Sequence, residues 1–174
     1  MFVGYHGRAG TGDSVLSHTF TGTLADVRVN GRSFGEIGLN AAVAGSFGVP
    51  VVLITGDASV DVEVRDLLPG TATVVVKRGI GALAADSVHP ERSCALIEEA
   101  ASAVVRDAAA ASPFVVDGPV ELEVDVSTPA YVDQALVIPG VERTGGRTLR
   151  YAATDYLTAY RVVRLIGALS GLPL

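Results

Sequence analysis

The apolar positions of this chain fall into two kinds of run that alternate along its length. Val49-Pro50-Val51-Val52-Leu53-Ile54 and Thr71-Ala72-Thr73-Val74-Val75-Val76 are short and almost continuously apolar, as a parallel strand covered on both faces requires. Met1-Phe2-Val3-Gly4-Tyr5-His6 is β-prone too and runs straight into a glycine-rich stretch. Asp26-Val27-Arg28-Val29 instead alternates with a period of two and meets Asn30-Gly31, the pair best suited to a type I′ hairpin turn because both central residues need a positive φ. A short return strand, Arg32 to Phe34, follows. Val120-Glu121-Leu122-Glu123-Val124-Asp125-Val126 alternates strictly, which predicts one wet face, one core face and a place at or near a sheet edge.

Helical periods fill the intervals. From Gly35 to Phe47 the residues Ile37, Leu39, Ala41, Ala42, Val43 and Ala44 surround most of a helix, so burial on nearly all sides is expected, with Gly48 as the stop. Asp57 stands where it can cap a helix reaching about Leu68, ahead of Pro69-Gly70. Pro90 opens a long helix with Ile97, Ala101, Val104, Val105 and Ala108 on one face, and Cys94 is expected in its core. Asp117-Gly118-Pro119 reads as a turn, Tyr131 to Leu136 as a short helix, the surroundings of Gly145-Gly146 as two short strands, and Asp155 to Leu169 as a closing helix. This alternation predicts an α/β fold, a mixed sheet flanked by helices, in one unit over residues 1–174. A buried strand seldom begins without a lead-in, so the sheet is expected to be incomplete on its N-terminal side.

Composition sharpens this picture in three respects. Of 174 residues 49% are apolar, enough for a sizeable core and too many for a disordered chain. Thirteen Lys and Arg against nineteen Asp and Glu leave a charge of −6, which disfavours nucleic acid and anionic membranes as partners. The single cysteine excludes an internal disulfide and a cysteine zinc cluster. With no membrane-length apolar run and no basic leader, it makes the cytoplasm the expected location.

Three chemistries compete in the first forty residues. Gly7 to Ser14 imitates a phosphate-binding loop, but Asp13 stands where the lysine belongs, and a carboxylate there repels phosphate. Ser17 and His18 are adjacent, so in a strand they face opposite ways and cannot work as nucleophile and base; Ser14 remains open as a nucleophile without a partner in the sequence. The metal reading starts from scarcity: of three histidines, His6 and His18 flank one glycine-rich loop, and Glu36 opens a helix. Imidazole and carboxylate suit zinc, yet catalytic zinc takes three protein ligands per ion. On spacing alone, His6 as a strand cap and His18 as a loop residue are equally open.

Gly4-Tyr5-His6-Gly7-Arg8-Ala9-Gly10, Ser17-His18, Val29-Asn30-Gly31-Arg32, Gly35-Glu36-Ile37-Gly38-Leu39-Asn40-Ala41 and Val49-Pro50-Val51 through Thr55-Gly56-Asp57 together resemble the zinc D-aminopeptidase family of bacterial metallopeptidases. The segments agree in order, with the loop between the histidines one residue longer, and similarity runs more thinly to the C-terminus. The resemblance implies the C-terminal portion of the D-aminopeptidase fold. It places His6 and Glu36 on zinc and gives His18 a catalytic role facing a two-zinc centre. It also implies removal of N-terminal, often D-, residues from short peptides, and a homo-oligomer, a decamer in the family. Family chains open with a segment bearing an Asp-x-Glu pair and a further histidine. No Asp-x-Glu here replaces it by position, so a partial zinc site completed by an N-terminal segment or partner chain is expected. Two alternatives are a catalytically impaired relative acting as a binding or scaffold protein, and a rebuilt metal site that recruits His89 or Asp13.

Overall fold

Asn30 and Gly31 both adopt positive φ, 51° and 78°, and the hairpin they were expected to turn is present. In the computed structural model, which describes residues 1–106, 108 and 111–172, this hairpin joins strand β2 (Leu24–Val29) to β3 (Arg32–Ser33). The chain divides into two compact units, each assembled from several segments. The first comprises Met1–Gly7, Thr11–Ser17 and Asn40–Phe114; the second comprises Arg8–Gly10, His18–Leu39 and Val115–Leu174.

The first unit holds the mixed sheet, ordered β1 (Phe2–Tyr5), β4 (Leu53–Asp57), β5 (Ala72–Gly81), β6 (Ala84–Ser87). β1, β4 and β5 run parallel, and β6 returns antiparallel. All five residues of β4 are buried, but only Leu53 and Ile54 of the expected run belong to it: Val49 is exposed, and the strand continues through Thr55, Gly56 and Asp57. β5 also outlasts its apolar run, continuing through Lys77 and Arg78 into a hairpin that the sequence reading lacked. Helix α2 (Ala58–Leu67) starts on its expected cap, Asp57, which accepts from the Ser59 N–H at 2.9 Å, and it buries Val60, Val64 and Leu67. Helix α3 (Pro90–Arg106) also begins where expected, but none of its residues is buried and Cys94 is exposed. The expectation of a core cysteine is therefore corrected: helical periodicity locates an apolar face without fixing how deeply a neighbour covers it.

The second unit carries an antiparallel sheet, β3-β2-β7-β9-β8, with β7 (Val120–Val126), β8 (Glu142–Arg143) and β9 (Thr148–Ala153). β7 lies at the centre, not at an edge. Its alternation reports only that one face is apolar. Val120, Leu122, Val124 and Val126 are buried, while Glu121, Glu123 and Asp125 belong to a polar face laced by ion pairs. Helices α4 (Pro129–Ala135) and α5 (Tyr156–Leu169) accompany this sheet. α5 is capped by Asp155, which accepts from the Thr158 N–H at 2.9 Å, and buries Val162, Val163 and Ile166. Between the sheets in sequence runs α1 (Glu36–Ser46), where Ile37, Leu39, Ala41 and Ala42 have no exposed surface, the near all-round burial its composition predicts. Among the described residues no helix is long and apolar enough to cross a membrane.

Arg28 holds the polar face of the antiparallel sheet together. The register sets Asp26 directly opposite Asp125, an arrangement of like charges that costs stability unless a cation intervenes. Arg28 Nη1 donates to Asp26 at 2.8 Å and to Asp125 at 2.7 Å, Nη2 adds a second bond to Asp125 at 3.3 Å, and Nε donates to Glu123 at 3.3 Å. The bonds from Arg28 lower the Asp125 carboxyl below the ordinary carboxylate range despite the opposing effect of burial. A carboxyl depressed in the folded state adds stability above its unfolded value, about 3.9, and loses that contribution as pH falls through the lower folded value. Urea unfolding measured across acidic pH is therefore expected to show stability falling below about pH 4. Asp125→Asn should flatten that fall and lose about 1 kcal/mol at neutral pH; an unchanged acid limb would show that Asp125 contributes nothing.

Candidate functional site

His6 follows β1 directly, and the residue after it decides its tautomer. The imidazole Nδ1 lies 3.0 Å from the Gly7 carbonyl oxygen. A carbonyl can only accept, so Nδ1 carries the proton, and in the neutral ring Nε2 keeps its lone pair. That is the arrangement in which histidines commonly ligate metals, one nitrogen donating to a fixed oxygen and the other presented as ligand.

His18 and Glu36 meet within the second unit. His18 Nε2 is 3.7 Å from Glu36 Oε1, with side chains 36% and 24% exposed, so the pair is steadied by protein yet reachable from solvent. Glu36 is the first residue of α1, where the unpaired N–H groups of the helix start favour a carboxylate. Its Oε1 also accepts from the Phe20 N–H at 3.0 Å.

The His18 loop is braced on both sides of Phe20. Thr19 is buried and its Oγ1 accepts from the Ala9 N–H at 3.2 Å. Phe20 takes φ of 60°, a left-handed conformation uncommon for a bulky residue and held only where surroundings over-determine it. They do so here. Its ring meets Tyr160 edge-on at 5.9 Å and lies under the Arg164 guanidinium at 4.3 Å. Sequence reasoning missed Phe20, because an ordinary aromatic in a loop gives no sign of a positive φ.

The other residues weighed from sequence fare differently. Asp13 and His89 are exposed. Ser14 is completely buried, accepts from the Gly7 N–H at 2.9 Å and donates to Asp57 Oδ2 at 2.5 Å, a hydroxyl engaged in structure rather than a nucleophile awaiting a base. Burial pushes the Asp57 carboxyl up, but the bonds from Ser14, Ser59 and the Val15 backbone outweigh it and leave the group below its ordinary value.

The donor types fit zinc: an imidazole with its Nδ1 proton committed, and a carboxylate fixed at a helix start. Comparison with known proteins bears on the same residues. The family model for D-aminopeptidase matches residues 1–165. A curated D-aminopeptidase from Bacillus subtilis (strain 168) is 30% identical over 171 residues, 98% of this chain and 62% of that protein. Among solved structures, the Zn-dependent D-aminopeptidase DppA from Bacillus subtilis, described as a self-compartmentalizing protease, superposes with a TM-score of 0.91 at 30% identity. That likeness covers 96% of this chain and 61% of DppA. The chain thus spans about three-fifths of the length of the relatives it matches.

The Phe20 bond gives this site a direct check. Glu36→Ala removes a charged acceptor, and the Phe20 amide is then expected to exchange with solvent about tenfold faster or more. Hydrogen exchange by NMR reads this residue by residue; unchanged protection would mean that another group holds the amide.

Proposed function

Since this chain belongs to the D-aminopeptidase family, we propose that it forms the histidine-bearing portion of a zinc-dependent aminopeptidase that removes N-terminal residues, D-residues among them, from short peptides. In this reading His6 and Glu36 are zinc ligands and His18 is the catalytic histidine. The observation that carries it is the His18–Glu36 pair at 3.7 Å, two residues far apart in sequence that the family resemblance independently assigns to chemistry. Bound zinc supplies Lewis-acid polarisation of the peptide carbonyl and activation of water at neutral pH.

The protein's own residues do the rest. His6 offers Nε2 because its Nδ1 proton is committed to Gly7. Glu36 is held by the helix start and by the Phe20 N–H. His18 Nε2 lies 3.7 Å from Glu36 Oε1, a fixed place that suits an imidazole exchanging a proton at the scissile amide. His6 and Glu36 fall short of the three protein ligands that each catalytic zinc takes. The remaining ligands come, in this proposal, from a further segment or a complementary chain.

Assembly into a homo-oligomer, a decamer by family analogy, and a cytoplasmic location complete the reading. The description of the similar DppA as self-compartmentalizing supports the assembly part of this reading. Sedimentation is expected to give a species several protomers in mass; a monomer at all concentrations removes this part of the proposal.

Metal analysis and peptide hydrolysis test the site. His18→Ala is expected to lower cleavage of a D-aminoacyl dipeptide by the complete assembly about a thousandfold while leaving zinc content intact. His6→Ala and Glu36→Ala should instead lower zinc content. Full cleavage by His18→Ala would overturn its catalytic role. A wild-type assembly that binds zinc but cleaves nothing would favour a binding or scaffold protein.

A further inference from the structure

One carboxylate with no exposed surface sits behind the loop that follows His6. Asp57 uses its two oxygens on two different serines: Oδ2 accepts from Ser14 and Oδ1 accepts from the Ser59 hydroxyl and N–H. Both serines close on Gly7. The Gly7 N–H donates to Ser14 Oγ at 2.9 Å, and a Cβ added at Gly7 would stand 2.6 Å from Ser59 Oγ and 2.9 Å from Ser14 Oγ. Gly7 is thus fixed through its N–H and through the space beside its Cα, and its carbonyl in turn takes the Nδ1 proton of His6 at 3.0 Å.

We propose that Asp57 and Ser14 are positioning residues for His6, acting through Gly7 to hold the imidazole in the Nδ1–H tautomer with Nε2 as its ligand atom. The inference rests on the reading of His6 as a zinc ligand, and it gives work to the Gly7–Ser14 stretch that imitates a phosphate-binding loop. Asp57 orients the Ser14 hydroxyl hydrogen, so the Ser14 oxygen faces the Gly7 N–H as a pure acceptor. Without that order Gly7 is free to change its φ and ψ, the carbonyl on the far side of its Cα swings away, and the ring loses the acceptor that selects its tautomer. Partners of this kind behind a ligating histidine are worth about 10–100-fold in metal affinity.

The test has two readouts, the tautomer on this chain and zinc affinity on the complete assembly. Long-range 1H–15N NMR of the zinc-free protein at mildly alkaline pH reports which His6 nitrogen is protonated, and competition with a chromophoric chelator reports zinc affinity. Wild type is expected to show His6 as the Nδ1–H form. Ser14→Ala should shift it towards Nε2–H and weaken zinc binding about tenfold. Asp57→Asn guards against misfolding in the first variant, because asparagine still caps α2 while its amide hydrogens meet Ser14 and release the hydroxyl; the same two shifts are expected. Folded variants that keep the wild-type tautomer and the wild-type zinc affinity would overturn the proposal and leave Asp57 and Ser14 a purely structural role. A complete wild-type assembly with the Nδ1–H tautomer and no zinc binding would uphold the clamp on the ring and overturn the ligand reading of His6.

Discussion

A carboxylate removed from water must have its lone pairs occupied or give up its charge, and Asp57 meets that demand in a way that organises much of the first unit. Its position at the end of β4 brings it to the start of α2, where the helix supplies the Ser59 N–H. The loop after β1 then supplies Ser14. One requirement therefore specifies where the strand stops, where the helix begins and how the glycine-rich loop folds back. The loop that holds His6 takes its shape from a residue about fifty positions later, one with no exposed surface.

In the second unit the corresponding constraint is charge rather than burial. Asp26 faces Asp125 across the β2–β7 ladder, and Arg28 reaches both. The sheet gains specificity from this arrangement, since a slip of register by one residue would turn the arginine to the opposite face. Glu36 is steadied on the same logic at smaller scale, a carboxylate at a helix start with a backbone donor from Phe20.

What could be read from the chain follows how local each signal is. The Asn30-Gly31 turn, the Asp57 cap and the Pro90 helix start are set by neighbouring residues, and each stands where expected. The central place of β7, the exposure of Cys94 and the β5–β6 hairpin depend on which distant element arrives beside them, and periodicity carries no such information. The α/β class itself was legible because continuous and alternating runs differ in kind, though the alternating runs belong to a second, wholly antiparallel sheet. At the site, His6, His18 and Glu36 stood out from residues already in view, their roles coming from family resemblance. The left-handed Phe20 and the hydrogen bonds of the buried Ser14 stayed hidden, because strain and hydrogen-bond partners leave no mark on composition.

The pairing of β2 with β7 also sets an order in time. Arg28 and Glu123 are 95 residues apart in the chain, and the Tyr156 hydroxyl reaches the Leu39 carbonyl over 117 residues. Contacts so distant bear their loop-closure entropy before they return any stability, which slows folding towards the millisecond-to-second range of β-rich domains. On the ribosome the second unit's sheet cannot close until β7 has emerged, 95 residues after Arg28 has been made when counted to Glu123. His18 and Glu36 are thus translated well before the strand that closes their unit.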